Sequence, residues 1–278
     1  MLGKGCDAKG SNVWRWWSDS DAAWESVTFE EGLSRLKAAQ DSIPTPHIIS
    51  QGISSAGRLE APFGGSKILC VGRNYRPHAE ELGNTIPKEP LWFMKPASSL
   101  AGPDGTILLP SGFGRIDYEG ELVLVIGTEA ANVSRETALD IVAGVTLAID
   151  VTARELQKAD GQWTRAKGFD TFCPLGPVIL PFGPWASDAR LTTVLNGKTV
   201  QDDWTTSLVF SYADLIAHIS GCMTLMPGDL ILTGTPAGVG PLASGDSIDV
   251  SIAIARGRST ADDLVMTLSM SVSDRPSH

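Results

Sequence analysis

Two glutamates stand at the head of an apolar, strand-like run in the segment IDYEGELVLVIG, at positions Glu119 and Glu121. Alternate residues of a strand project from the same face, so the spacing predicts two carboxylates that point in one direction. Asp150 closes the apolar segment AGVTLAID and offers a third carboxylate. Three oxygen ligands without Cys or His suit Mg²⁺, Mn²⁺ or Ca²⁺ better than Zn²⁺. The pattern predicts a divalent-cation site, although such a pair is just as typical of surface ion pairs.

A histidine and a glutamate three residues apart, His78 and Glu81, lie in the segment GRNYRPHAEELG, directly after the apolar stretch KILCV. If this segment is helical, residues i and i+3 are neighbours, and the carboxylate can orient and charge-stabilise the imidazole. That pairing is used in general base catalysis. The same residues are also typical of a partly exposed loop histidine beside acids.

Lys167 lies in an unusually apolar setting for a lysine, the segment RAKGFDTFCPLGP. A fixed positive charge there could face a developing enolate or oxyanion. The alternative is a salt bridge to Asp170.

A Gly/Thr/Pro loop follows a strand in the segment LILTGTPAGVGP, which contains Gly234 and Thr235. Backbone N–H groups in such a loop can form a nest for an anion. The spacing is not that of a P-loop, and no helix follows as in a dinucleotide-binding fold. The loop indicates a carboxylate-binding site or, alternatively, a plain tight turn.

These residues need a scaffold, and strand signals dominate the chain from Lys67 onward. The candidate strands are KILCVG, PLWFMK, TILLP, ELVLVIG, VAGVTLAIDV, TTVLNGKTV, DLILTGT and SIDVSIAIA. Helix signals are fewer: TFEEGLSRLKAAQ, where Thr28 and Glu31 have capping-box spacing, SRETALDIVAG and SYADLIAHISGC. Because strands and helices do not alternate regularly, the sequence predicts a β-dominated α+β fold with a few short helices.

The first 66 residues differ from the rest of the chain. They hold four of the eight tryptophans, in VWRWWSDSDAAW, and a Pro/Ser/Gly-rich stretch over residues 43–66 that indicates a linker or irregular arm. We expect the tryptophans to serve packing. The sequence predicts a small N-terminal region, 1–66, and a main domain, 67–278.

Composition excludes several classes of protein. The 278 residues are 42% hydrophobic and carry a formal net charge of −10, without the Lys/Arg clusters that nucleic acid or an anionic membrane requires. No apolar run is long enough to span a membrane. The four cysteines form no CxxC pair, and we expect Cys70 and Cys222 to be buried in apolar surroundings. A reducing, cytoplasmic location is expected.

The order of the segments resembles the fumarylacetoacetate hydrolase (FAH) family over about residues 67–252. The blocks that carry the resemblance are GRNYxxHAEELG, FMKPASS, DYEGELVLVIG, IDVTARELQ, QWTRAKGFDTFCPLGP, LNGKTVQ and TLMPGDLILTGTPAGVGP. The chain is similar in particular to acylpyruvases and oxaloacetate decarboxylases of that family.

The resemblance implies an FAH-type mixed β-sandwich roll, usually homodimeric. It implies Mg²⁺ or Mn²⁺, or Ca²⁺ in some members, held by Glu119, Glu121 and Asp150. It also implies a catalytic set, His78, Glu81 and Lys167, and a substrate-binding set, Arg154, Gln157, Gly234 and Thr235. The ends of the chain depart from the family pattern: neither the Trp-rich opening nor the segment ARGRSTADDLVMTLSMSVSD matches its usual ends.

The implied reaction is metal-dependent cleavage of a C–C bond in a small 2-oxo acid with a 1,3-dicarbonyl relationship. Acylpyruvate hydrolysis and oxaloacetate-type decarboxylation both pass through a metal-bound enolate. One alternative is an isomerase or tautomerase of 2-hydroxy-dienoate or oxaloacetate-type enols. Others are a biosynthetic enzyme acting on a larger 1,3-dicarbonyl, and a non-catalytic member of the family.

Overall fold

The computed structural model describes residues 1–6, 11–18, 22–40, 52–81, 83, 85–254 and 263–276. The described strands of the first half are β1 (Leu2–Cys6), β2 (Asn12–Ser18), β3 (Ala23–Val27), β4 (Leu59–Glu60), β5 (Ile68–Gly72), β6 (Leu91–Lys95), β7 (Leu100–Ala101), β8 (Thr106–Leu109), β9 (Ile116–Tyr118) and β10 (Gly120–Ile126). Those of the second half are β11 (Val142–Ile149), β12 (Thr152–Ala153), β13 (Cys173–Pro181), β14 (Ala189–Leu195), β15 (Lys198–Trp204), β16 (Leu230–Leu232), β17 (Gly240–Pro241), β18 (Ser247–Ile254) and β19 (Asp263–Asp274).

Helices are short and connect the strands. The α-helices are α1 (Phe29–Ala38), α2 (Arg76–Glu81), α3 (Arg154–Asp160), α4 (Thr164–Lys167) and α5 (Tyr212–Ser220), and residues 52–55 form a further helical turn. Turns of 3₁₀-helix occur at Ala97–Ser99, Ala138–Ile141, Pro184–Asp188 and Thr205–Ser207.

Three sheets organise the described residues. The largest has the order β3-β2-β1-β13-β11-β10-β16-β5-β6, with β4 beside β1 and β7 beside β13. A five-stranded sheet, β15-β14-β18-β19-β8, packs against β10, β11 and β13, and a small sheet joins β12, β9 and β17. The predicted β-dominated α+β fold is confirmed.

Strand β10 is buried on both faces, which explains its unbroken apolar run. Leu122, Leu124 and Ile126 belong to the core shared with the five-stranded sheet, whereas Val123 and Val125 belong to a second core. Strand alternation places Glu121 on the same face as Val123 and Val125, as predicted.

Helix α1 begins at the predicted capping box, in which Thr28 and Glu31 bond each other's backbone. Helix α5 has a second capping box, between Ser211 and Asp214. The predicted helix in SRETALDIVAG is wrong: only Ala138–Ile141 is helical, as a 3₁₀ turn, because strand β11 begins at Val142 and takes the remaining residues.

The segment TTVLNGKTV forms a hairpin rather than the single strand that we predicted. Asn196 and Gly197, at the turn, have φ values of 52° and 76°. Two adjacent residues with positive φ form a type I′ turn, for which Asn-Gly is the preferred sequence. The dipeptide was therefore a sufficient signal for two strands, β14 and β15.

The N-terminal strands extend the largest sheet through an antiparallel contact of β1 with β13, where Leu2 pairs with Ile179. The tryptophans there serve packing, as expected: Trp17 is buried and its ring centroid lies 5.6 Å from that of Trp24. Part of the predicted linker, residues 43–51, lies outside the described residues. The division of the chain at residue 66 stays a prediction.

Cys70 is buried as expected, and so is Cys173. Cys222 is exposed, so the prediction for it is wrong: it follows the end of helix α5, where the chain turns at the surface.

Among the described residues, no helix has the length and apolar character to cross a membrane.

Asp229 ties together the starts of two parallel strands, β5 and β16. Its carboxylate accepts hydrogen bonds from Ser66 N and Oγ, both 2.8 Å, from Lys67 N, 3.0 Å, and from Met226 N, 2.7 Å, and it forms an ion pair with the Lys67 ammonium. We expect Asp229→Ala to lower the free energy of unfolding by about 3 kcal/mol, because these donors lose their acceptor. Urea unfolding at pH 7 measures the loss.

The pH dependence of this effect has a defined sign. Burial raises the pKa of Asp229, but the hydrogen bonds from Lys67, Met226 and Ser66 outweigh it and bring the pKa below the usual value of 3.8. The stabilising contribution is therefore complete above pH 3.8 and is lost only as the pH falls through the folded-state pKa. A difference between wild type and variant that already shrinks between pH 7 and pH 5 would contradict this assignment.

Candidate active site

Pairing between β10 and β11 brings the three predicted metal ligands together. Gly120 pairs with Ile149, so Asp150, just past the end of β11, donates its backbone N–H to Glu119 O at 2.8 Å. One carboxylate oxygen from each of Glu119, Glu121 and Asp150 lies within 4.8 Å of the others, and all three residues are buried. Burial excludes the alternative of exposed surface ion pairs.

Lys167 provides a cation directly at this cluster. Its ammonium donates to Glu119 Oε2 at 2.8 Å and to Asp150 Oδ2 at 2.6 Å. Burial alone would lower the pKa of Lys167, but the charges of Asp150 and Glu119 raise it above the usual value, so the ammonium stays protonated. The alternative partner, Asp170, instead pairs with Arg275.

A second buried lysine, Lys95 at the end of β6, was not identified from the sequence. Its ammonium donates to the carbonyl oxygens of Val151, Lys167 and Phe172, at 3.2, 2.6 and 2.8 Å. These three bonds use all of its protons, so its 2.8 Å contact with Asp150 Oδ1 is an ion pair without a hydrogen bond. Lys95 therefore holds the backbone on either side of the cluster.

The donor set fits a divalent cation. Asp150 Oδ1 is buried and accepts no hydrogen bond from the described residues, which is unusual for a carboxylate oxygen. Glu121 accepts Gly234 N at 2.7 Å but has no ion pair among them. Burial, together with the charges of Asp150 and Glu119, raises the pKa of Glu121 well above its usual range. A dication would relieve that repulsion and would be a ligand partner for Asp150 Oδ1 beside its ion pair with Lys95.

The Gly234 loop does bind an anion, but the anion is the Glu121 carboxylate. Gly234 has a φ of 104°, and a Cβ there would lie 2.8 Å from the Cβ of Asn74, so the loop requires glycine. Its neighbour Thr235 donates its hydroxyl to Gly120 O at 2.9 Å. Thr235 lines a cavity of about 320 Å³ beside the cluster, whereas Gly234 does not.

The predicted pair of His78 and Glu81 lies on helix α2. Nδ1 of His78 is 3.5 Å from Glu81 Oε2, a long contact, and among the described residues Nε2 makes no hydrogen bond. Both oxygens of Glu81 accept Gly238 N at 3.1 Å, which fixes the carboxylate. Burial lowers the pKa of His78 below the usual 6.5 in spite of Glu119 and Glu81, so the imidazole is neutral at pH 7.

A cavity of about 320 Å³ joins most of these groups. It is lined by Val71, Gly72, Arg73, His78, Glu119, Glu121, Arg154, Gln157, Lys158, Trp163, Lys167 and Thr235. Glu81 and Asp150 are not among the lining residues. Arg154 donates Nε to Asp117 at 2.7 Å and Nη1 to Gln157 Oε1 at 2.9 Å. The Gln157 amide therefore keeps its N–H donors for other partners.

Gln201, on β15, is a further buried residue that sequence reasoning missed. It donates to Thr235 Oγ1 at 2.7 Å and to Pro236 O at 2.8 Å, and it accepts Gly120 N at 3.0 Å. It therefore links the five-stranded sheet to the peptide between the two glutamates. The available signal in the sequence was a polar residue on the inward face of a strand. The hydrogen-bond partners of Gln201 could not be identified in this way, because Thr235 and Gly120 lie 34 and 81 positions away.

The arrangement combines an acid cluster that fits a dication, a buried ammonium and a neutral imidazole around one cavity. These are the parts required to remove and return a proton beside a carbonyl group while negative charge develops on oxygen. The fold and the site thus define a β-rich protein with a carboxylate cluster of the kind that metal-dependent enzymes use.

The comparisons identify the family. A profile described as fumarylacetoacetate (FAA) hydrolase C-terminal matches residues 67–262. The protein Rv2993c of Mycobacterium tuberculosis is 46% identical over 244 residues, which cover 84% of this chain and 91% of that protein. The mitochondrial oxaloacetate tautomerase FAHD1 of Arabidopsis thaliana is 46% identical over 197 residues, 68% of this chain and 86% of the relative. The chain belongs to the fumarylacetoacetate hydrolase family.

A solved structure extends the similarity to both ends of the chain. The 5-carboxymethyl-2-hydroxymuconate delta-isomerase of Mycobacterium smegmatis has a TM-score of 0.75 and 34% identity, and the match covers 99% of each chain. The FAH-type α+β fold is thereby confirmed. The opening and closing segments that departed from the expected family pattern therefore have counterparts in this structure.

Proposed function

We propose that the protein is a divalent-metal-dependent enzyme that catalyses proton transfer in small 2-oxo acids, as an enol–keto tautomerase or isomerase. The observation that carries the proposal is the neutral imidazole of His78, in one cavity with the buried cluster of Glu119, Glu121 and Lys167. The proposal is supported by two similar proteins whose names are those of enzymes of this kind, the oxaloacetate tautomerase and the delta-isomerase.

Glu119, Glu121 and Asp150 would hold the cation, which when bound supplies Lewis acidity at the 2-oxo group. Arg154 and the free amide of Gln157 bind the carboxylate of the substrate. His78 removes a proton from the carbon next to the 2-oxo group, and the ammonium of Lys167 stabilises the negative charge on the enolate. The imidazolium then returns the proton to oxygen or to another carbon, which completes the isomerisation without a net change in composition.

Cleavage of a C–C bond is the second candidate, and the pairing of His78 with Glu81 favours it. A base oriented by a carboxylate can take a proton from water, and the hydroxide then attacks the distal carbonyl. The C–C bond breaks, its electrons form the enolate, and Lys167 again lies close to the charge. Decarboxylation of an oxaloacetate-type substrate gives the same enolate without water.

A panel of acetylpyruvate, fumarylpyruvate and oxaloacetate with Mg²⁺ or Mn²⁺ distinguishes the candidates. We expect accelerated enol–keto interconversion, followed by ultraviolet absorbance of the enol, and no matching release of pyruvate, followed by NMR. Release of pyruvate from acetylpyruvate at a comparable rate would favour hydrolysis, and release from oxaloacetate would favour decarboxylation.

Chelation with EDTA is the control for the metal. We expect turnover to disappear with EDTA and to return when Mg²⁺ or Mn²⁺ is added in excess. Turnover that resists EDTA would refute the metal dependence, and no activity on any of the three substrates would refute the proposed function.

A further inference from the structure

Two of the four cations that line the cavity, Arg154 and Lys167, are already neutralised by buried carboxylates. Arg154 pairs with Asp117 and Glu119, and Lys167 pairs with Glu119 and Asp150. Behind them, Lys95 lies against Asp150. The charges of these three cations are therefore balanced by carboxylates, which leaves no excess positive charge among them for a second anionic group of a ligand.

Two further cations line the same cavity, Arg73 and Lys158. Within the part of the chain that the structure describes, neither has an ion pair or a side-chain hydrogen bond. Unlike Arg154 and Lys167, they present uncompensated positive charge to the cavity. An uncompensated cation beside a concave site attracts an anionic group of the ligand.

Lys158 lies on the same face of helix α3 as Arg154 and Gln157, the two side chains that we propose bind the substrate carboxylate. Arg154, Gln157 and Lys158 stand at positions i, i+3 and i+4, which are neighbours on a helix surface. Lys158 is exposed, so its ammonium extends this face toward the mouth of the cavity.

Arg73 is held in an unusual backbone conformation. It lies between β5 and α2 with a φ of 58°, in the left-handed region, which costs a residue with a side chain about 1 kcal/mol. The peptide before it is packed closely, because a Cβ on Gly72 would lie 3.0 Å from the Trp163 ring. Strained backbone that presents a side chain to a ligand cavity is characteristic of functional positions.

We propose that Arg73 and Lys158 bind a second carboxylate of the substrate, so that the enzyme prefers 2-oxo dicarboxylates. This inference rests on the proposed function, because Arg154 and Gln157 are assigned to the first carboxylate. A guanidinium and an ammonium are the two side chains that bind carboxylates most strongly.

The test compares substrates with and without the second carboxylate. In wild type, kcat/KM for oxaloacetate and fumarylpyruvate should exceed that for acetylpyruvate. Arg73→Asn removes the charge with a residue that tolerates positive φ, and it should lower the dicarboxylate values about tenfold. Lys158→Gln, at an exposed site, should lower them about threefold. In both variants, kcat/KM for acetylpyruvate should change less than twofold, which is roughly the size of effect that surface substitutions usually have.

Lys198→Gln is the matched control, because Lys198 is exposed and lies outside the cavity. It removes the same charge from the protein and should leave both substrate classes unchanged. Thermal unfolding of each variant shows that the fold is retained, and Mn²⁺ affinity should be unaltered.

Calorimetric binding of oxaloacetate and acetylpyruvate with Mg²⁺ separates this inference from the proposed function. Binding with the stated preference but without turnover would refute the proposed reaction and still support the subsite. An equal loss for both substrate classes in Arg73→Asn, or an unchanged preference in the double variant, would refute the subsite.

Discussion

Glu121→Gln is expected to weaken cation binding and activity strongly without destabilising the metal-free protein. The variant keeps an acceptor for Gly234 N but removes a charge that burial, Asp150 and Glu119 all disfavour. We expect kcat/KM to fall on the order of 10³-fold, as when a principal electrostatic contribution is lost. Mn²⁺ affinity, measured by electron paramagnetic resonance, should weaken by at least about 100-fold.

The thermal stability of the same variant gives an independent measurement. Removing a repelled, unpaired carboxylate should leave the Tm of the EDTA-treated protein unchanged or raise it. Asp150→Asn should also lose Mn²⁺ affinity, but it removes the partner of Lys95 and Lys167 and should lower the Tm.

Glu129→Gln is the matched control, since Glu129 is exposed and lies outside the cluster. It should bind Mn²⁺ like wild type. Full Mn²⁺ affinity in Glu121→Gln would show that the cation is held elsewhere, and the assignment of the cluster would then be wrong.

Local pattern was sufficient to predict part of this cluster. The alternation of IDYEGELVLVIG placed Glu121 on the face of Val123 and Val125, because side-chain direction in a strand depends only on adjacent residues. That Asp150 would lie beside Glu119 depended on the register of β10 with β11, which strand propensity does not determine. The resemblance to a known family supplied that link.

The partners of buried cations could not be predicted. The apolar surroundings of Lys167 indicated a special role, but its contacts with Glu119 and Asp150 cross 48 and 17 positions of sequence. Lys95 had no local signal at all, since a lysine at the end of an edge strand is usually solvated. Its burial follows from the carbonyls that surround it in the folded chain.

The same limit applies to the fold. Short apolar segments predicted the strands β5, β6, β8, β10, β11, β16 and β18 correctly, because apolar length and turn residues are local properties. The long strands β13 and β19 were not among the predicted strands. The pairing of β1 with β13 joins residues near positions 2 and 179, and no local feature of the Trp-rich opening indicated it.

His78→Asn is expected to lower kcat/KM by about 10²–10⁴-fold while the cation remains bound. The change removes the neutral imidazole from the cavity, and general acid–base catalysis typically contributes that factor. Mn²⁺ affinity should stay at the wild-type value, because His78 does not belong to the carboxylate cluster. His218→Asn, on helix α5, is the matched control and should be fully active.

The pH profile tests whether His78 acts as the base. Only the neutral imidazole can accept a proton, so kcat/KM should rise with pH through the pKa of His78 and level off above it. Burial lowers that pKa, so the acid limb should lie below pH 6.5. This limb should be absent from the residual activity of His78→Asn.

Glu81→Gln is expected to shift the same acid limb of the pH profile to lower pH. A purely structural role of Glu81 would not produce this shift. The hydrogen bond and the charge of Glu81 raise the pKa of His78, so their loss should shift the acid limb to lower pH. The plateau should also fall, because the imidazole loses the group that orients it. An acid limb that moves to higher pH or stays in place in Glu81→Gln would mean that another group is the base. An acid limb that persists in His78→Asn would mean the same.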